Sequence, residues 1–493
     1  MWNRKYVTVL VSLVLMFLVF CACNDIPMET ASSKLIYPDY TDLIIPPDIA
    51  PLNFSIIASG NRFRTTVEYG DGLVEHKKGR IVRFSVRKWK SILSESVGRE
   101  IRYKILSWEN GEWKPLYCFS NRVSCDSIDS YVSYRLIEPG YSNYGAMSLE
   151  QRNLTNFRKK DIFNNKLLSG RVEQQCINCH SFQANKADKF QFHVRQLYGG
   201  TVIAENDHIK KVDLKRGELI SSGVYPSWHP SENMIAYSVN STNQVFLRND
   251  RQRLEVYDSA SDIILYDIDN DEISPVLCDN RSLETFPAWS YDGKVLFYAS
   301  ADLDSLGIMP DENVADRYDD IRYSIKAIRY DAEKGTFSTP VSIFDAPADC
   351  LSAVTPRPSP DGRFVLSAVG SYGSFHIWHD DSDLYITNLE DGETQPLDGA
   401  NSPRADSFHS WSSNSRWIVF ASRRDDRTYS RLYISYIDEH GKASKPFLLP
   451  QKNPFDNLTL TKSFNVPELT FDKVSIKSKS ISKVVVKDKT ENK

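Results

Sequence analysis

The chain lacks a charge excess of either sign: 60 Lys and Arg stand against 64 Asp and Glu, giving a net charge of -4 and a pI near 6.2. Such a balance offers no basic face for a nucleic-acid partner. A membrane span is also missing, because the one long apolar run, Tyr6 to Phe20, is shorter than the roughly 20 residues that cross a bilayer. No Gly-x-Ser-x-Gly elbow or ordered catalytic triad occurs, so a hydrolase is not expected. What is present is ordinary for a globular protein, 41% hydrophobic and 25% charged residues, with length for two or three domains. The 25 Tyr, 24 Phe and 9 Trp favour strands over helices.

Cysteine is scarce, at 8 residues, yet Cys176-Ile177-Asn178-Cys179-His180 spells Cys-x-x-Cys-His. Chance would place this motif about 0.002 times in a chain with 8 Cys and 9 His among 493 residues. It is the attachment site of a c-type haem: two thiols add to the porphyrin vinyl groups, and the adjacent imidazole ligates the iron. Rival chemistries need companions. Zinc requires two further ligands, and no second Cys-x-x-Cys or His-x₃₋₅-His pair follows. A thioredoxin-like redox pair requires a βαβ setting, and no such alternation is visible. One covalent haem c is therefore the expected cofactor, with Cys176, Cys179 and His180 as its protein ligands.

Such haem is attached outside the cytoplasm, and the N-terminus agrees. Arg4 and Lys5 precede the apolar run Tyr6 to Phe20, as in a secretory signal. Phe20-Cys21-Ala22-Cys23 then resembles a bacterial lipoprotein processing box, with Cys23 the expected acylated residue because small Ala22 precedes it. The mature chain would be held to a membrane by lipid rather than by a helix. Of the other cysteines, Cys118 and Cys125 flank a plausible turn and could close a short disulfide loop in an oxidising compartment. Pairing of Cys278 with Cys350 is left open.

Repeats dominate the C-terminal half. Four segments align: Tyr225-Pro226-Ser227-Trp228, Phe286-Pro287-Ala288-Trp289, Pro356-Arg357-Pro358-Ser359-Pro360-Asp361-Gly362 and Phe408-His409-Ser410-Trp411. Each precedes an apolar run, Met234 to Tyr237, Val295 to Tyr298, Phe364 to Leu366 and Trp417 to Phe420, and a later alternating strand ends in an acidic turn. Two hairpins per unit make a four-stranded blade. Anchors at 228, 289, 358 and 411 are 61, 69 and 53 residues apart, longer than the roughly 40 to 45 of a compact blade, so the surplus lies in loops. These units resemble TolB-like β-propeller repeats, whose hallmark is aromatic-Pro-x-Trp-Ser-Pro-Asp-Gly-Lys; the second copy fits it closely. The resemblance implies a propeller of five or six blades over about Gly199 to Pro450, with a first blade begun by Gly200 to Ile203 and closed by Leu458 to Leu469. It implies architecture, not activity.

Upstream, short strands at Leu52 to Ala58, Phe63 to Tyr69, Arg80 to Val86, Glu100 to Trp108 and Tyr131 to Ile137, with a helix near Trp89 to Val97, predict an immunoglobulin-like β-sandwich. Ser148-Leu149-Glu150-Gln151 has capping-box form and predicts a helix. The expected organisation is mainly β: signal 1–22, linker 23–36, sandwich 37–140, short helical haem-bearing bridge 141–190, propeller 191–470 and a disordered Lys-rich tail 471–493.

The sixth position of the iron is open to several side chains. His193 is the nearest candidate, on the strand-like run Phe190 to Arg195; Met147, His208, His229 and His409 are further ones, and His229 and His409 read as equivalent repeat positions with a turn role. The lipobox, single Cys-x-x-Cys-His and repeats together resemble TolB-like or cytochrome-c-type lipoproteins of the Gram-negative cell envelope. That resemblance implies an envelope location on the periplasmic or surface side. Two functions are expected in turn. In the first, the single haem passes single electrons to or from a partner protein. In the alternative, the propeller binds an envelope protein or a glycan as a scaffold and the haem is structural. Either makes the chain an electron carrier or binding protein, and whether it is also an enzyme is left open.

Overall fold

The computed structural model describes residues 35–138, 145–168, 175–247, 254–309 and 313–487. The signal, Cys23 and most of the linker lie outside the described residues. No described helix is long and apolar enough to cross a membrane.

The first unit pairs a five-stranded sheet, in the order Ile44–Ile45, Glu112–Val123, Glu100–Glu109, Phe63–Tyr69, Leu73–Lys78, with a three-stranded one made of Ile36–Tyr37, Phe54–Ile56 and Ile81–Val82. Strict alternation decides which face packs: along Phe63–Tyr69 the residues Phe63, Thr65, Val67 and Tyr69 are buried and those between face outward. One helix, Val86–Ser94, closes the unit. Ser85 caps it by accepting from the Lys88 amide, and Trp89, Ile92 and Leu93 form its buried stripe. The Trp89 indole donates to the Ile49 carbonyl at 3.0 Å.

Six blades follow, five of four strands and one, the fourth, of five, and the first is closed by a strand from near the end of the chain. Blade 1 joins Tyr131–Ile137, Ser148–Asn153 and Lys159–Asn164 to the distant strand Ser463–Thr470, which supplies its inner edge. The inner strands of blades 2 to 6 are Ile177–Phe182, Val224–Trp228, Ser282–Trp289, Ser352–Pro358 and Asp406–Trp411. Joining strands so far apart in sequence closes the ring of blades. Blade 6 shares one continuous core with the first unit, in which Trp411, Trp417 and Phe420 meet Tyr40, Ile45 and Phe54. Polar ties reinforce it: Trp417 donates to the Asp126 carbonyl at 3.1 Å, and Ser413 Oγ donates to Asp129 at 2.6 Å.

The mainly β architecture with a propeller is as expected, but four local expectations are corrected. The segment expected as a helical bridge is strand: Ser148–Asn153 pairs on both sides, with Tyr131–Ile137 and with Lys159–Asn164, so ladder bonds along both edges outweigh a capping-box pattern. Tyr131–Ile137 accordingly belongs to blade 1, not to the sandwich, and Gly200 to Ile203 lies on the third strand of blade 2. The tail is ordered through 487: Val474, Ile476, Ile481 and Val485 are buried against blades 1 and 2, and Ser478–Val485 is a helix. Its apolar residues at i and i+4 were the available signal. Finally, no disulfide joins Cys118 to Cys125 or Cys278 to Cys350. Cys118 sits inside Glu112–Val123, and the extended chain from it to Val123 already spans roughly 17 Å, too far for two more residues to return within disulfide reach.

Candidate functional site

All six inner strands carry the same irregularity. The ladder slips once in each, and one residue there adopts a left-handed backbone: Val466, Cys179, Tyr225, Phe286, Thr355 and Phe408, with φ between 47 and 52°. Non-glycine residues avoid this region, β-branched ones most of all, so the closed ring must impose it. The next residue is Pro in four blades and His in two, His180 and His409. A bulged position has no ladder partner to serve, which suits a residue without an N–H.

The bulges line the central channel. One mouth is a funnel with an empty volume of about 1410 Å³ counted to its opening, walled by Cys176, Cys179 and His180, by Ile137, Met147, Val256, Phe286, Phe375, Trp378 and Phe408, and by Arg135, Arg195 and Arg357. The opposite mouth, about 950 Å³, is ringed by Trp228, Trp289 and Trp411 and by Tyr291, His409 and Glu468. His180, Arg357 and Phe408 line both.

The backbone of the Cys-x-x-Cys-His segment is pinned from its neighbours. The Cys176 amide donates to Gln196 Oε1 at 2.8 Å, the Gln191 side chain donates to the Cys179 carbonyl, and Arg135 donates to Asn178 Oδ1. Two residues beyond His180, the Phe182 amide donates to Glu468 Oε1 at 2.9 Å. His180 is 5% exposed and its Nε2 has no hydrogen-bond partner. Burial, and then the charge of Arg135, pushes its pKa down to about 3 against the opposing bond to the Val466 backbone. The ring is therefore a neutral imidazole with an orphaned nitrogen, as a metal ligand requires. Burial raises the Cys176 thiol, opposed by Arg135 and Arg195, while burial lowers Arg135, opposed by both cysteines. Glu468 is pushed up to about 8 by burial, against the Phe182 amide and Arg357.

The motif's three side chains thus share one cavity, whereas His193 does not line it. That residue sits one strand back, with Nδ1 3.1 Å from Thr201 Oγ1, and burial lowers its pKa to about 4. His208 is exposed on an outer strand. The equivalence of His229 and His409 is corrected. His229 follows Trp228, as Ser290 follows Trp289, and latches its hairpin by accepting the Glu232 amide at 3.0 Å while Nε2 lies 3.1 Å from the Gly293 carbonyl. His409 instead matches His180. Among the described residues no group of three His, Cys, Asp or Glu side chains is placed to hold a bare metal ion; a haem asks one iron ligand of this motif.

Arg135, Arg357 and Glu468 were missed from sequence. A signal existed for the last, since Val466-Pro467-Glu468-Leu469 is a degenerate copy of the aromatic-Pro-x-Trp repeat, as is Cys179-His180-Ser181-Phe182.

The sequence matches no family model and no curated protein. Among solved structures it is similar to a nidogen/laminin complex, at 9% identity and TM-score 0.36 over 64% of this chain and 93% of that one. It is also similar to prolyl oligopeptidase B from Galerina marginata, at 10% identity and TM-score 0.37 over 64% of this chain and 44% of that one. The tricorn protease matches at 10% identity and TM-score 0.36, over 81% of this chain and 43% of its own. The chain spans less than half the length of the last two. Likeness at this level says nothing of activity.

Proposed function

We propose that the chain is a lipid-anchored protein of the Gram-negative cell envelope that holds one covalent c-type haem in the funnel and passes single electrons to or from a partner protein. The observation that carries this reading is the meeting of both thiols and the unpartnered Nε2 of buried His180 on one apolar, arginine-bearing cavity. The residues fit the group. When bound, the haem supplies a one-electron couple, held by thioethers formed as each S–H adds across one vinyl group with no net oxidation.

The chain's own residues do the rest. Val466 orients the His180 ring, and burial keeps that ring neutral. Arg135, Arg195 and Arg357 bring positive charge to a cavity that would receive two propionates. Phe286, Phe375, Trp378 and Phe408 exclude water from flat apolar faces. Lipid attachment at Cys23 would place the funnel near a membrane surface, where a docked partner completes the circuit.

Haem-stained electrophoresis of membrane fractions tests the reading. Stain at the size of the wild-type protein, lost in Cys176→Ala, is expected together with reversible reduction. An unstained wild-type band would sink it, and a redox-inert haem would favour the scaffold alternative.

A further inference from the structure

Resting on the haem reading above, we propose that the thioether of Met147 is the second axial ligand of the iron, and that Asn165 is the residue that positions it. The sequence offers five candidates for this role, His193, His208, His229, His409 and Met147. Among the described His and Met residues, only His180 and Met147 line the funnel. His193, His208 and His229 do not line the funnel, and His409 opens on the opposite mouth, whereas Met147 shares the funnel with Cys176, Cys179 and His180.

Met147 is 4% exposed, on the segment leading into Ser148–Asn153 of blade 1. Its backbone is held at both ends by one residue. The Met147 amide donates to Asn165 Oδ1 at 3.0 Å, and the Asn165 amide donates to the Met147 carbonyl at 3.1 Å. Asn165 then reaches the motif itself, its side-chain Nδ2 donating to the carbonyl of Gln175, adjacent to Cys176, at 3.1 Å. A single buried amide, 6% exposed, thus clasps Met147 to the start of the Cys-x-x-Cys-His segment across the seam between blades 1 and 2. Nearby, the Ala146 carbonyl accepts Lys462 Nζ at 3.2 Å, which fixes the approach of the chain from the other side. An unbranched thioether with three rotatable bonds suits a ligand that must meet a planar group. Sulfur opposite imidazole raises the reduction potential relative to two nitrogens.

The test uses the full-length holoprotein and three variants, Met147→Leu, Met147→Ala and Met147→His. Leucine keeps volume and apolar character, so loss of a signal there is loss of sulfur rather than of packing. The ferric wild type is expected to show the long-wavelength sulfur-to-iron charge-transfer band and a six-coordinate low-spin spectrum. Met147→Leu and Met147→Ala should lose the band and bind added imidazole about tenfold tighter or more. Met147→His should restore a low-spin spectrum with a lower potential. A haem-stained wild type without the band, or a Met147→Leu spectrum identical to wild type, overturns the assignment while leaving the haem reading intact. A wild-type protein without covalent haem overturns both.

Discussion

His180 and His409 occupy the same position of the repeated inner-strand bulge, in blades 2 and 6, and both are buried rings with an unpartnered Nε2. The other four blades place Pro there. Only His180 carries cysteines before it. The ring of His409 turns toward the Thr355 and Leu366 backbone without closing a hydrogen bond, and burial, then Arg357, takes its pKa down to about 3.

That depressed value sets an acid limit on stability. A His near 6.5 when unfolded and about 3 when folded binds more protons in the unfolded chain between those values, so its contribution is full above pH 6.5 and is lost as pH falls toward 3. His409→Pro restores the residue of the other blades and should flatten the acid limb of a melting-temperature profile. The difference between the variants should reach on the order of a few kcal/mol near pH 3. Parallel acid limbs would count against it.

Glu468 acts at the other end. Its carboxyl, near 4.5 when unfolded and about 8 when folded, contributes fully below pH 4.5 and loses that contribution as pH rises to 8. Glu468→Gln retains an acceptor for the Phe182 amide and removes the charge. Denaturant titration at pH 9 should find it more stable than wild type, with the advantage gone at pH 4.

The C-terminal segment is a structural part of the ring. Ile481→Asp puts a carboxylate into the cluster of Val474, Ile476 and Val485 and should cost roughly 3 kcal/mol or more. Ending the chain after Lys462 removes the inner strand of blade 1 and should abolish a single cooperative unfolding transition.

Asn165→Ala removes the acceptor of the Met147 amide and the donor to Gln175. A loss of about 2 to 3 kcal/mol is expected from two buried hydrogen bonds. Stability measured by urea midpoint, compared with Asn164→Ala at the half-buried neighbouring position, checks that figure.

Four blades were legible because Trp228, Trp289, Pro358 and Trp411 keep their spacing to an apolar strand. Blades 1 and 2 were hidden for different reasons. In blade 2 the Cys179-His180 pair stands where blades 3 and 4 have Tyr225-Pro226 and Phe286-Pro287, so the Cys-x-x-Cys-His motif also disguises the repeat. In blade 1 the decisive partner of Tyr131–Ile137 lies more than three hundred residues downstream, and no local pattern records it. The same long-range closure explains the site. Cys176, Cys179 and His180 are contiguous and were readable, whereas Arg135, Arg357 and Met147 come from other blades and meet them only when the circle is complete.

Ser463–Thr470 follows every other propeller strand in sequence, and its Asn465 and Val466 form part of the funnel wall. As the chain emerges from N- to C-terminus, blade 2 therefore waits beside a gap. Cys176, 3% exposed once folding ends, would be reachable throughout that interval. Under the proposed function the seam would work as a timer, leaving the thiols open to haem attachment until the last strand shuts it.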